Sequence, residues 1–161
     1  MANGPDCRIY EFFGIRLPEE TNGSNQYVVD CPFCDHEGHF YINKENALFC
    51  CMDSACGCKG NPYTFMELLY EESKRETTPF SYRRLSAKRK RLPQAAFKQS
   101  NIVYSKRLDE WLIPYRNREG RIVGLCRYSG EGAPITAPGC SLHLYGLERL
   151  QETGPIFLCE G

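Results

Sequence analysis

The stretches CPFC at residues 31–34 and FCCMDSACGCKGN at residues 49–61 decide how this chain folds, since they hold six of its ten cysteines. Two cysteines separated by two residues form a knuckle that presents both thiolates to one tetrahedral zinc ion. The second stretch offers four more thiols for the other half of such a site. A cysteine pair at the end of a hairpin, folded back on a first knuckle, is typical of a zinc ribbon. The cysteines therefore predict a structural zinc site.

Two further roles for clustered cysteines fit this chain less well. Buried cysteines can serve as small apolar residues, but six within 28 residues are too many for that role. A redox pair is expected within a strand–helix–strand unit, and a hairpin follows here instead. His36 and His39 lie between the two stretches, and either could replace a cysteine as a ligand. A site closed by four thiolates leaves no position for water, which argues against hydrolytic zinc chemistry.

Length and composition bound the class of protein. The 161 residues allow one domain or two small ones, and 42% hydrophobic with 25% charged residues fits a globular chain. The formal net charge is zero, so attraction to nucleic acid must come from a local patch. The N-terminus does not resemble a secretory signal, and no stretch approaches the roughly 18 apolar residues that span a bilayer. We expect a cytoplasmic protein with reduced cysteines and no membrane partner.

The N-terminal half has the patterns of a small unit of helices and strands. Apolar residues three to four apart predict a short helix within 7–20. Strand-like alternation predicts a strand at 26–31 and a hairpin at 39–51. A helix is predicted over 61–75, with Asn61 as its N-cap.

The rest of the chain changes character twice. Residues 74–107 hold eleven Lys and Arg against one acidic residue, which predicts a basic linker or a loosely helical arm. Alternating runs at 111–116 and 121–128, separated by the turn NREG, predict a second hairpin. A short helix around 147–151 and a buried strand at 155–161 complete the pattern.

The run CPFCDHEGHFYINKENALFCCMDSACGCKGN, followed by the helix PYTFMELLYEE, resembles the CHC2-type zinc-binding domain of bacterial and phage DNA primases. The opening Cys-Pro-Phe, the hairpin aromatics and the closing Cys-Gly and Gly-Asn pairs match that family. Counting from Phe40 along the hairpin places Cys51 at the third ligand, with Cys50 as its rival and Cys58 as the rival of Cys56. The resemblance implies these zinc ligands: Cys31, Cys34, Cys51 and Cys56.

Two features depart from the family's zinc-site pattern. Cys34 stands where the family more often has histidine. Four residues, 52–55, separate the third and fourth ligands, where the family usually has two. Both departures bear on which thiols hold the metal.

The segments WLIPYRNREGRIVGLCRYSG, ITAPGCSLHLYGLERL and PIFLCEG, in this order, resemble the catalytic core of the same primases as far as the first strand of a Toprim fold. In that fold the glutamate after the strand acts in acid–base chemistry or helps hold Mg²⁺, and two later aspartates bind the metal ions. Glu160 matches the glutamate. No residue matches the aspartates, so the resemblance implies a fragment of a longer protein, or a gene product cut short, with an incomplete catalytic site.

The resemblance thus implies an α+β chain in three parts. Residues 1–73 would be a zinc ribbon of antiparallel hairpins and helices, 74–107 a basic linker, and 108–161 the beginning of the primase catalytic core. The alternative is a zinc-ribbon module without enzymatic activity, which binds nucleic acid or a replication partner and in which the second hairpin is merely structural.

The resemblance also implies partners and contact residues. The ribbon would bind single-stranded DNA template for RNA primer synthesis in a bacterium or phage-infected cell. The full-length protein would use ribonucleotides and Mg²⁺, and a replicative helicase is a further expected partner. Aromatic residues stack on unpaired bases and basic residues neutralise phosphates, although a solvated basic linker is the alternative for the middle segment. The expected nucleic-acid contacts are Tyr41, Lys44, Lys59, Arg83, Arg84, Lys88, Arg89 and Arg127.

Overall fold

Two four-stranded antiparallel sheets pack against a central helix in a computed structural model that describes residues 6–19, 23–89, 92–140 and 145–149. The fold class is α+β, as predicted. In each sheet the strands neighbour one another in sequence order. The elements are α1 (Arg8–Phe12), β1 (Gln26–Val29), β2 (Phe40–Asn43), β3 (Phe49–Cys51), β4 (Lys59–Gly60), α2 (Pro62–Glu76), α3 (Pro79–Lys88), α4 (Gln94–Gln99), β5 (Val103–Ser105), β6 (Glu110–Arg116), β7 (Ile122–Tyr128), β8 (Ile135–Thr136) and a short 3₁₀ helix at Leu147–Arg149.

The first sheet, β1 to β4, contains the predicted hairpin. Successive side chains of a strand point to opposite faces. Phe40 and Ile42 of β2 are therefore buried on the same face as Phe49 and Cys51 of β3. Tyr41 lies between the first two and faces the other side. The inner face builds the core, and the outer face stays open to solvent.

Helix α2 begins where its capping residue predicts. The Asn61 side chain accepts a hydrogen bond from the Thr64 backbone N–H at 3.0 Å, and Pro62 occupies the first helical position. The residue before the cap must be small, since a Cβ at Gly60 would lie 2.6 Å from the Thr64 Cβ. These contacts fix the angle at which β4 turns into the helix.

Two faces of α2 are buried against different sheets. On one face the Phe65 ring lies among rings of α1 and the first sheet, with centroid distances of 4.8 Å to Tyr10 and 6.0 Å to Phe49. On the other face Tyr70 donates its hydroxyl hydrogen to the Asn101 carbonyl at 2.8 Å. Buried residues of both sheets belong to one core cluster. The helix therefore joins the two sheets into one packed unit.

The described residues of the segment 74–107 form a packed arm that is mostly helical. They contain α3, α4 and the strand β5, and the strand was not predicted from the sequence. Leu85 of α3 and Phe97 of α4 are buried with Trp111 and Tyr128 in a second core cluster. Of the two expectations for this segment, a linker or a loosely helical arm, the structure fits the second, although the packing is closer than expected. The division of the chain into three domains stays a prediction.

The second sheet, β5 to β8, confirms the predicted hairpin at β6 and β7, with Gly120 at φ +78° in its turn. The helix predicted around residues 147–151 is a 3₁₀ turn as far as the described residues extend. The strand predicted at 155–161, which carries Glu160, lies outside the described residues. Within the described ranges, no helix is long and apolar enough to cross a membrane.

Candidate metal centre

Thiols from two loops and one strand meet at one end of the first sheet. The knuckle after β1, the last residue of β3 and the loop before β4 each contribute to this cluster. Two sulfur–sulfur pairs, Cys31 with Cys56 and Cys34 with Cys51, are each separated by 3.8 Å. The five converging residues are Cys31, Cys34, Cys51, Cys56 and Cys58.

The spacing of the four predicted ligands suits zinc. A Zn–S distance of about 2.3 Å gives a sulfur–sulfur edge of about 3.8 Å in a regular tetrahedron. The two measured pairs have the length of opposite edges of such a tetrahedron. The cysteine cluster therefore fits a zinc ribbon. Four thiolates would close the coordination sphere, so the chemistry they supply is structural.

A fifth thiol competes for a place in the ligand set. Cys58 also lies within 4.8 Å of three of the predicted ligands, in a group that omits Cys34. Its sulfur is 3.4 Å from that of Cys56, which is shorter than a tetrahedral edge. Cys34, in contrast, has the expected edge length to Cys51. We favour Cys34 as the ligand and Cys58 as a neighbouring thiol, and this choice stays a prediction.

Cys50, the rival of Cys51, lies outside the cluster. Because adjacent strand residues face opposite sides, Cys51 is buried toward the other thiols while Cys50 faces the outer surface of the sheet. The Cys50 sulfur lies 4.0 Å from the Met52 sulfur. The structure therefore brings Cys51, and not Cys50, into the thiol cluster.

The electrostatics of the cluster follow from burial and from thiol–thiol hydrogen bonds. Burial raises the pKa of Cys31, and burial together with the nearby Cys56 raises the pKa of Cys58 to about 12. Burial also opposes ionisation of Cys56, but hydrogen bonds from neighbouring cysteines, those of Cys58 foremost, leave the Cys56 pKa lowered. Zinc binds thiolates, so metal uptake must release the protons held here, and acid must weaken binding.

Asp53 organises the long loop between the third and fourth predicted ligands. Its Oδ1 accepts the backbone N–H groups of Ala55 and Cys56, each at 2.9 Å, and its carbonyl accepts that of Gly57 at 2.8 Å. Its Oδ2 lies 3.5 Å from His36 Nδ1 in the opposite knuckle. The four-residue spacer is thus folded into a turn that aims Cys56 at the cluster. An aspartate within a short loop is a turn signal visible in the sequence, and it could have revealed this positioning role.

The two histidines between the cysteine stretches have different surroundings. A hydrogen bond to the Cys34 thiol, followed by the charge of Asp53, raises the pKa of His36. His36, Cys34 and Asp53 place their ligand atoms within 4.8 Å of one another, whereas His39 joins no such group among the described residues. His36 therefore contacts a predicted ligand from outside the four-thiol set.

We expect Asp53→Ala to weaken zinc binding by about 10–100-fold, because residues that orient metal ligands typically contribute that much to affinity. Zinc dissociation constants measured by competition with a chromophoric chelator would test this. Asp53→Asn keeps an oxygen that can accept the loop N–H groups, so its zinc affinity should fall less than that of Asp53→Ala. Glu37→Ala, an exposed acidic residue of the first loop, is the matched control, and a loss there equal to that of Asp53→Ala would contradict the positioning role.

An arginine from the second sheet reaches the first knuckle. The Arg107 guanidinium donates to the Pro32 carbonyl, within CPFC, and lies 3.8 Å from the Asp35 carboxylate. Arg107 belongs to the turn between β5 and β6. Nothing in the sequence indicated this contact, because it joins segments 75 residues apart.

The outer face of the first sheet holds two of the predicted nucleic-acid contacts in one row. Strand register places Val28, Tyr41, Cys50 and Lys59 side by side across the four strands. An open cleft of about 570 Å³ is lined by Tyr41, Cys50 and Lys59 of this row. Lys44 does not join it, because its ammonium group lies 5.2 Å from the centre of the Tyr27 ring. The structure therefore brings Tyr41 and Lys59 together and places Lys44 elsewhere.

Most of the remaining predicted contacts are engaged within the protein. Arg127 bonds to Glu110 at 2.6 Å and to the Phe12 carbonyl, which ties α1 to the second sheet. The rest lie on or just after α3. Arg84 pairs with Asp109 at 3.3 Å, and Lys88 donates to the Ser129 carbonyl at 2.9 Å. Arg89 donates to the Tyr128 hydroxyl and to the Gly132 carbonyl. Arg83 is exposed.

Comparison with known proteins adds one structural likeness. No protein-family model matches the sequence, and no curated protein matches it. Among solved structures, a similar one is the primase of Aquifex aeolicus, in a crystal structure of its zinc-binding and RNA polymerase domains. The identity is 14%, the TM-score is 0.33, and the match covers 87% of this chain and 55% of that one. The chain thus spans about half the length of that structure, and nothing about function follows from so low a TM-score.

Proposed function

We propose that this chain is the zinc-ribbon part of a DNA primase and binds single-stranded template DNA. The observation that carries the proposal is the convergence of Cys31, Cys34, Cys51 and Cys56 at zinc-like spacing in the sequence pattern that resembles the primase zinc-binding domain. A closed thiolate site stabilises the sheet without taking part in chemistry. Its role is to hold the outer face of the sheet in shape.

The outer face offers the chemistry that an unpaired strand requires. Tyr41 is partly exposed beside an open cleft and presents a ring on which a base can stack. Lys59 stands two positions away in the same row and can neutralise a phosphate. Leu48 lines the cleft and is also exposed. The combination of an aromatic ring, an apolar side chain and one lysine supports contact with bases as well as with the backbone.

The activity of the parent protein is part of the proposal. It would join ribonucleotides into a primer with Mg²⁺ at a Toprim site, to which this chain contributes Glu160, and would work beside a replicative helicase. This rests on the sequence resemblance of the second half. No residue of the chain matches the Toprim aspartates, so we expect it to bind DNA without making primers.

The proposed function predicts the behaviour of two variants. Tyr41→Ala should weaken binding of a fluorescein-labelled single-stranded oligonucleotide by about tenfold, since stacking on one aromatic side chain is typically worth about 1–3 kcal/mol. Lys59→Gln should lower the slope of log affinity against log salt by about 0.7, the value for one phosphate of a single strand. Fluorescence anisotropy at several salt concentrations measures both.

A matched control separates this surface from a general effect. Tyr63→Ala removes an exposed tyrosine on α2 that does not line the cleft, and it should leave the affinity unchanged. Failure of the zinc-loaded chain to bind the oligonucleotide would overturn the proposed function. Equal losses in the Tyr41 and Tyr63 variants would show that the outer face of the sheet is not the contact surface.

A further inference from the structure

Helix α3 has one buried face and one exposed face of unusual composition. Leu85 is fully buried, and Tyr82 packs beside Trp111 with ring centroids 5.7 Å apart. The opposite face carries Phe80, which is 67% exposed, and Arg83 one turn later. Residues three apart on a helix are neighbours, so an aromatic ring and a guanidinium group stand side by side in solvent.

The helix is fixed rigidly enough to present these two residues. A capping box between Thr78 and Ser81 closes its N-terminus, and Pro79 occupies the first helical position. At its other end Lys88 donates to the Ser129 carbonyl at 2.9 Å, and Arg89 donates to the Gly132 carbonyl at 2.9 Å. The exposed face therefore belongs to a docked helix.

The charges around α3 leave the exposed face positive. Arg84 and Lys88 lie near carboxylates, those of Asp109 at 3.3 Å and Glu131 at 3.9 Å, but these acids are exposed and such surface pairs are weak. Among the described residues, both hydrogen-bond partners of Arg89 are uncharged oxygens. Arg83 makes no ion pair with any residue that the structure describes. Arg84, Lys88 and the C-cap residue Arg89 thus dock the helix, whereas Arg83 projects from it.

We propose that the exposed face of α3 is a second contact surface for single-stranded DNA, on which Phe80 stacks against an unpaired base and Arg83 neutralises a neighbouring phosphate. This rests on the proposed function and extends it beyond the first sheet. An exposed aromatic residue beside a cation that forms no ion pair with the described residues fits a polymer that carries flat bases along a negatively charged backbone. The charge complementarity favours a polyanion, and the ring favours one with unpaired bases over a duplex.

The test compares two single variants by anisotropy with a fluorescein-labelled single-stranded DNA oligonucleotide and the zinc-loaded full chain. Phe80→Ala should weaken binding about tenfold and leave the salt slope unchanged. Arg83→Gln should lower the salt slope by about 0.7. Phe80→Tyr keeps a ring for stacking and should bind as the parent does. Leu92→Ala removes an exposed apolar residue that lies outside the helix, and it should leave both the affinity and the slope unchanged.

The outcomes separate this inference from the proposed function. If the chain binds the oligonucleotide and Tyr41→Ala weakens binding, but Phe80→Ala and Arg83→Gln have no effect, the α3 surface is overturned while the proposed function stands. In that case the face is left for another partner, such as an acidic protein surface. If Phe80→Tyr loses as much affinity as Phe80→Ala, stacking is likewise excluded. Circular dichroism melts of each variant, expected to match the parent because both side chains are exposed, confirm that the losses are not due to unfolding.

Discussion

Replacing Cys51 by serine should abolish zinc binding and unfold the first sheet, whereas replacing its neighbour Cys50 should leave both intact. A hairpin and a knuckle bury too little apolar surface to fold alone. Structural zinc contributes on the order of 10 kcal/mol to small modules of this kind, which is as large as the whole stability of a typical domain. The two adjacent cysteines differ in the face of β3 that they occupy, so they form a matched pair.

The measurement is zinc content per chain together with thermal unfolding followed by circular dichroism. The parent and Cys50→Ser should each carry one zinc and melt at similar temperatures, and chelation should destabilise both strongly. Cys34→Ser should behave like Cys51→Ser, while Cys58→Ser should keep its zinc. Loss of zinc from the Cys58 variant with retention in the Cys34 variant would contradict the ligand assignment. If the unsubstituted chain holds no zinc and stays folded in chelator, the assignment of a metal centre is wrong.

The second large effect should follow from Phe65→Ala, which we expect to lower the free energy of unfolding by about 3–5 kcal/mol. The side chain is buried among five rings from α1 and its C-cap, the first knuckle and the first sheet, so truncation leaves a cavity that rigid neighbours cannot fill. These rings are Tyr10, Phe13, Phe33, Phe40 and Phe49. Because α2 also packs on the second sheet, the substitution should destabilise that sheet as well.

Trp111 makes this coupling measurable. It is the single tryptophan of the chain and is 4% exposed in the second sheet, away from the rings around Phe65. Urea unfolding followed by Trp111 fluorescence and by zinc release should give coincident transitions that Phe65→Ala shifts together. Phe65→Leu fills part of the space and should lower the free energy of unfolding by less than Phe65→Ala does. Two separate transitions, of which only zinc release responds to the substitution, would show that the sheets are independent.

Local patterns account for much of this fold. The two hairpins, the short first helix and the capped α2 were all predictable, because each depends on residues a few positions apart: alternation in a strand, an Asn before a Pro, a turn with glycine. The thiol cluster was predictable for the same reason. The packed state of the described part of residues 74–107 was not, since its buried apolar side chains, Leu85, Phe97 and Val103, are spaced among basic residues that dominate the composition.

The sequence by itself predicted the two hairpins, the first helix, the capped α2 and a cysteine-based metal site, because strand alternation, helix capping and cysteine spacing act over short stretches of chain. Only the tertiary structure decided which thiols meet, since Cys50 and Cys51 are equivalent until the strand's inner face is known. It likewise decided that Arg84, Lys88 and Arg127 bond within the protein while Arg83 remains exposed. These contacts depend on long-range packing, because the sequence around a basic residue does not indicate whether a distant carboxylate or carbonyl will lie close to it.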